Sequence, residues 1–153
     1  MDEIDKKILR IIQTSANIPL SELSKRVGIS STPCWNRIKK FEEEGVIKSK
    51  VTVLNNNKIK LPIIVFLSIS ISTHNKEWLE QFNNTIKKYD QIVEVYRLTS
   101  SISDYVLKIY APSISQYDEL QQQLVSEIKF TKMISSICLS ELKKNNHYPL
   151  DFV

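Results

Sequence analysis

An α+β chain in two parts is predicted, and three observations predict it. The first third spaces its apolar residues at helical intervals, with a glycine stop and a serine start between two short helices. The remainder alternates strand and helix patterns in the order βαββαβ. Between the two lies a polar, turn-like run, Asn55-Asn56-Asn57-Lys58. The spacing of the first part is that of a winged helix-turn-helix, and the order of the second is that of a ferredoxin-like domain with both helices on one face of a four-stranded antiparallel sheet.

Each element has a local reason. Asp2 is placed to cap a helix running to about Ser15, with Ile4, Ile8, Ile11 and Ile12 on one face. Asn17-Ile18-Pro19 breaks it. Leu20, Leu23 and Val27 mark a second helix, and Gly28 supplies the left-handed residue that ends it. Ser30 is placed as the N-cap of a third helix, with Pro33 in its first turn, where no intrahelical N–H is lost. Cys34, Ile38 and Phe41 form its inner stripe, and Gly45 ends it. Val46 to Leu54 alternates and is rich in β-branched residues, which predicts a strand or wing.

In the second part, Ile63 to Ser72 alternates as a strand. Lys76 to Tyr89 has helical spacing at Trp78 or Leu79, Phe82, Ile86 and Tyr89. Ile92–Leu98 and Tyr105–Ala111 are predicted strands. Ser113–Ile128 is a helix with Ile114, Tyr117, Leu120 and Leu124 inward, and Met133–Leu142 is a last strand. The outer sheet face, with Phe66 and serines at 68, 70 and 72, is partly apolar and small, which suits packing against a second copy. The divisions predicted are 1–54 for the helix-turn-helix, 55–61 for a linker, 62–145 for the βαββαβ domain and 146–153 for a tail.

Composition bounds the chemistry. The 153 residues are 42% hydrophobic and 25% charged, a folded composition. The net charge of +4 permits nucleic acid as a partner. Ten basic and seven acidic residues lie at or before Leu54, so most of the excess sits in the first part. Cys34 and Cys138 have no CxxC partner and are read as reduced core thiols of a cytosolic protein. The 2 glycines, Gly28 and Gly45, both end helices, which removes glycine-rich nucleotide loops. The start is acidic and helical, unlike a signal peptide, and the apolar run Leu61–Ile71 is too short to span a bilayer. No metal-ligand cluster or cofactor motif is visible.

The residues Ile4-Asp5-Lys6-Lys7-Ile8-Leu9, Glu22-Leu23-Ser24-Lys25-Arg26-Val27-Gly28, Thr32-Pro33-Cys34, Arg37-Ile38-Lys39-Lys40-Phe41-Glu42 and Gly45-Val46-Ile47 resemble the N-terminal block of the Lrp/AsnC, or feast/famine, regulators. Asp104-Tyr105-Val106-Leu107-Lys108 resembles that family's "DYLLK" strand. The resemblance covers residues 1 to 145 and implies a cytoplasmic transcription regulator, not an enzyme, forming homodimers and octamers. Two departures stand out: Ser101 occupies a usual glycine position, and Lys129-Phe130 replaces a usual Gly-Val step.

Candidate DNA-reading residues lie off the inner stripe of the third helix. Ser31, Thr32, Trp35 and Asn36 are placed to meet base edges or flanking phosphates, and Asn36 can pair bidentately with adenine. Arg37, Lys39 and Lys40 suit phosphates, although Arg37 can equally brace the helix by pairing with an acid such as Glu22. The resemblance implies an effector site between subunits, at Ser100, Ser101, Ser103 and Asp104, with Met133, Ile134, Ser135 and Ser136 opposite. Asp104 can pair a ligand's ammonium group there, or merely cap a strand. Two alternatives stay open. One is an effector-independent, DNA-wrapping architectural protein. The other is an enzyme similar to the siroheme decarboxylases, disfavoured because the chain has only His74 and His147 and few arginines to hold an anionic tetrapyrrole.

Overall fold

A computed structural model describes residues 1–153. They form two units, one of residues Met1–Val53 with Leu142–Val153 and one of Leu54–Glu141. We call the first the head and the second the regulatory unit.

The head has three helices, α1 (Glu3–Ile12), α2 (Leu20–Val27) and α3 (Ser31–Glu43). Asp2 caps α1 through a reciprocal box: its carboxylate accepts from the Asp5 N–H at 2.8 Å, and the Asp5 carboxylate accepts from the Asp2 N–H at 2.9 Å. Gly28 ends α2 at φ 79°, and its N–H donates to the Ser24 and Lys25 carbonyls. A Cβ at Gly28 would meet nothing within 4 Å, so the demand for glycine is one of backbone angle and not of space. Ser30 has the extended backbone of an N-cap, but its hydroxyl makes no capping bond. Ile8, Leu9, Leu23, Val27, Cys34 and Phe41 are the buried core of the head, with Ile38 half-buried beside them.

Val46–Leu54 forms no strand. Its alternation satisfies the pattern for a strand, but no segment of the chain pairs with it, and Val51, Val53 and Leu54 are exposed. The C-terminal residues, read from the sequence as a tail at 146–153, pack on the head. The Gln13 side chain donates to the Tyr148 carbonyl at 3.1 Å and accepts from the Tyr148 N–H at 2.9 Å. Arg10 pairs with Asp151, and Leu150, in a single 3₁₀ turn, packs against the head's core.

The regulatory unit is β1 (Ile63–Ser70), α4 (Lys76–Ile86), β2 (Ile92–Arg97), β3 (Tyr105–Ala111), α5 (Ile114–Glu127) and β4 (Lys132–Ile137). The strands are antiparallel in the order β2-β3-β1-β4, the ferredoxin-like sheet. Val65, Leu67, Ile69, Leu107 and Ile109 face the helices and are buried against Phe82, Tyr117, Leu120 and Leu124. Ile114 is 49% exposed, contrary to expectation, and Ile128 is buried instead. Ile114 opens the first turn of α5, while Ile128 stands at its other end, in the core. Glu127 ties α5 to the end of α4: its carboxylate accepts from Tyr89 at 2.5 Å, Lys88 at 2.7 Å and Thr85 at 3.2 Å. Lys88 beside it, then the Tyr89 hydroxyl, holds its carboxyl below the usual range.

The strand ends are shorter than the alternation suggested, because a ladder stops where its partner stops. Cys138 falls just past β4 and is half-buried, so only Cys34 is a core thiol. Burial pushes the Cys34 thiol up, against the nearby Arg37. Leu67 is fully buried in the centre of β1. Leu67→Ala is expected to destabilise the regulatory unit by about 2–5 kcal/mol, read as a lower urea midpoint at unchanged slope.

Candidate functional site

The outer surface of α3 is built from the core upward. Cys34 and Phe41 point inward, which turns Thr32, Trp35, Asn36, Lys39 and Lys40 outward. The Thr32 and Asn36 side chains are exposed and make no hydrogen bond within the chain. Trp35 is half-exposed and borders a shallow apolar groove with Ile12, Ile18, Leu20, Leu23 and Ile38. Lys39 stands 5.8 Å from the Trp35 ring centroid and pairs with Glu42 at 3.0 Å. Lys40 pairs with Glu44 at 3.8 Å. These lysine pairs are exposed and cost little to exchange for phosphate. Lys39, then Lys50, holds the Glu42 carboxyl below its ordinary range.

Two of the proposed DNA-reading residues have other employment. Ser31 Oγ lies 3.2 Å from Ser24 Oγ, a hydroxyl buried between α2 and α3. Arg37 is held at 2.6 Å by Asp2 and at 2.5 Å by Asp5, the two carboxylates of the α1 capping box. Glu22, the acid suggested for it, pairs with Arg26. Arg37 is therefore a brace between α1 and α3, while its neighbours Lys39 and Lys40 stay on the surface. The Asp2 carboxyl is held below its usual range by the Asp5 N–H first and by Arg37 second. A carboxyl so depressed supports the head above the ordinary carboxylate pKa and stops doing so as acid protonates it.

At the far end of β1 the regulatory unit gathers its polar loop. Ser70 Oγ donates to the Ile102 carbonyl at 3.1 Å, and the Ser70 carbonyl accepts from Thr131 N–H at 2.9 Å. The β2–β3 loop and the start of β4 thus meet across one residue. Asp104 is tied down on every side. Its N–H donates to Ile69, its carbonyl accepts from Leu98, and its carboxylate accepts from Ile71 N–H at 2.9 Å. The other carboxylate oxygen lies 3.0 Å from His74 Nε2. Both oxygens of the proposed ammonium ligand are thus engaged within the chain.

The eight proposed effector residues divide. Ser100, Ser101 and Asp104 lie in or beside the loop, and Ser103 is buried. Met133 and Ser135 face the helices, where Ser135 Oγ sits 2.5 Å from the Tyr117 hydroxyl. Ile134 and Ser136 lie opposite Ser68 and Phe66, on the outer sheet face. The strand alternation separates them. Ser101 and Lys129, at usual glycine positions, have no positive φ, so the loop is built here without a left-handed residue.

Residues 1–48 match the family model of winged helix-turn-helix DNA-binding domains, and residues 64–148 match that of the Lrp/AsnC ligand binding domain. The chain belongs to the Lrp/AsnC family. It is 40% identical over 150 residues to a glutamate uptake regulatory protein of Zymomonas mobilis, covering 98% of this chain and 91% of that one. An AsnC family transcriptional regulator from Agrobacterium tumefaciens superposes with a TM-score of 0.94 at 36% identity, covering 99% of both chains. A transcriptional regulator from Neisseria meningitidis, solved as a complex with L-Met, superposes with a TM-score of 0.93 at 27% identity, covering 99% of this chain and 98% of that one. The protein is a transcription regulator of the Lrp/AsnC type. No helix is long and apolar enough to cross a membrane.

What sequence reasoning missed were the Arg37 partners and the docked C-terminus. In the sequence Asp2 is legible as a helix cap and Asp5 only as part of the family-like opening motif. Lys39→Ala and Lys40→Ala are each expected to weaken binding to all duplex sequences and to lower the salt slope by about 1. Arg37→Ala is expected to lower the melting point of the head and leave that slope unchanged. A salt titration of binding beside a melting curve separates the two roles.

Proposed function

We propose that α3 enters the major groove of duplex DNA and reads it with Thr32, Trp35 and Asn36, while Lys39 and Lys40 set register on phosphates. The observation that carries this is the pair of exposed, unpartnered polar side chains, Thr32 and Asn36, on a helix pinned from behind by Arg37. Ser31 serves at the edge of that surface, tied to Ser24. The site is one of binding and not of catalysis. His74 pairs with Asp104, and His147 lies in the C-terminal segment.

The regulatory unit is proposed to bind a small amino acid at the loop end of β1, near Ser100, Ser101 and Ser70. Support comes from the ligand-binding family model and the L-Met complex of the Neisseria relative. Asp104 and Ser103 then shape the loop, and the ligand's charged ends meet serine hydroxyls and backbone N–H groups. The outer sheet face, with Phe66 and Tyr96 exposed around the Glu94–Lys108 pair, is proposed to pack on a second copy as a homodimer, and dimers to join as octamers. A cytoplasmic setting follows from DNA as the partner. The effector shifts DNA binding only if it favours one assembly over another.

A thermal-unfolding scan against the amino acids tests the effector reading. A ligand that prefers the native state raises the midpoint by linkage, by about 2.7 kcal/mol of stability at 100 times its Kd. A selective rise is expected for one amino acid or a close group of them. No rise with any of them, in protein that still binds DNA, favours the effector-independent, DNA-wrapping reading.

A further inference from the structure

The head holds a second built contact, made by the chain's own C-terminal segment. The Gln13 amide takes the place of one residue of a β-ladder, donating to the Tyr148 carbonyl at 3.1 Å and accepting from its N–H at 2.9 Å. It therefore recognises main chain and fixes one register of an extended segment. Arg10 lies three residues earlier on the same face of α1 and takes the Asp151 carboxylate. Between these two polar anchors, Leu150 inserts beside the apolar core of the head. The Tyr148 and Phe152 side chains stay 80% and 88% exposed, so the contact is narrow.

We propose that the C-terminal segment is a releasable strap, and that its docking on Arg10 and Gln13 restricts where the head can stand over DNA. The proposal rests on the DNA-binding reading. Chain connectivity gives the reason. The head joins the regulatory unit twice, through Val53–Leu54 and through Glu141–Leu142. A head on one extended linker searches a wide volume, and a second attachment shortens the reach. The strap follows β4 in the chain: β4 runs from Lys132, which pairs with Ser70, to Ile137, and residues 138–147 form an irregular connection to the docked segment.

The anchors suit release. The Arg10 and Asp151 side chains are 43% and 77% exposed, so salt screens their pair. The rest is two hydrogen bonds and one half-buried leucine. Such a contact forms and opens without unfolding the head.

The test uses the full chain and three variants: Leu150→Asp, Arg10→Glu, and Arg10→Glu combined with Asp151→Arg. Hydrogen exchange at Tyr148 and Leu150–Phe152 reads the strap directly. Selection from a pool of random duplexes reads the spacing between recovered half-sites. The wild type is expected to protect these amides and to recover half-sites at one dominant spacing. Leu150→Asp and Arg10→Glu are expected to lose the protection and to spread the spacings over about one helical turn, ~10 bp, while keeping the half-site sequence. The double charge exchange is expected to restore both. Arg10→Glu leaves the apolar core intact and gives the answer even if Leu150→Asp unfolds the head. Lost protection with an unchanged spacing distribution overturns the strap and leaves a merely structural contact. If the wild type recovers no common half-site, the DNA-binding reading fails, and the role of the strap falls with it even where the amides are protected.

Discussion

The grip of Asp2 and Asp5 on Arg37 is the constraint on which the outer surface of α3, the proposed DNA-reading surface, depends. The same two carboxylates close the first turn of α1 and hold the guanidinium at 2.6 and 2.5 Å. One network therefore caps a helix and fixes the angle of another. Cys34 and Phe41 supply the apolar half of that attachment. With α3 held from behind, its outward side chains need no internal partner. Thr32 and Asn36 are left without one, at an unmet desolvation cost only if they are buried by something other than a matching polar surface. A base edge is such a surface.

The two units divide labour along the chain. The head presents charge and unpartnered donors, while the regulatory unit buries its apolar strand faces under α4 and α5 and gathers serines at one end of β1. Relatives that are named as regulators match nearly the whole chain, so both parts belong to one regulatory protein and not to a chance fusion. The replacement of glycine by Ser101 is tolerated because the loop takes no left-handed residue there, and Asp104 holds it through four bonds. That loop offers hydroxyls where a glycine-built loop offers close backbone approach.

Local chemistry made most of the fold legible. Gly28, Asp2 and the period-two runs of β1 and β3 each act within a few residues, so a reader of the sequence finds them. The errors arise where a partner is distant. Val46–Leu54 has the pattern of a strand, yet a strand exists only with a neighbour, and none is in this chain. A bracing role for Arg37 is legible, with an acid such as Glu22 offered as partner, but its acids, Asp2 and Asp5, lie more than thirty residues away in the chain. Residues 133–136 were grouped as one site, although alternation sends two inward and two outward. The docking of Tyr148 and Asp151 on α1 joins positions over 130 residues apart, and no local signal marks it.

The central claim is that the outer face of α3 reads bases. The most direct measurement is equilibrium binding of the wild type and of Asn36→Ala to a selected duplex and to its single-base-pair variants. The account predicts that Asn36→Ala loses about 1–3 kcal/mol of discrimination at one base pair and keeps the rest. An equal loss at every position, or none at any, would contradict it.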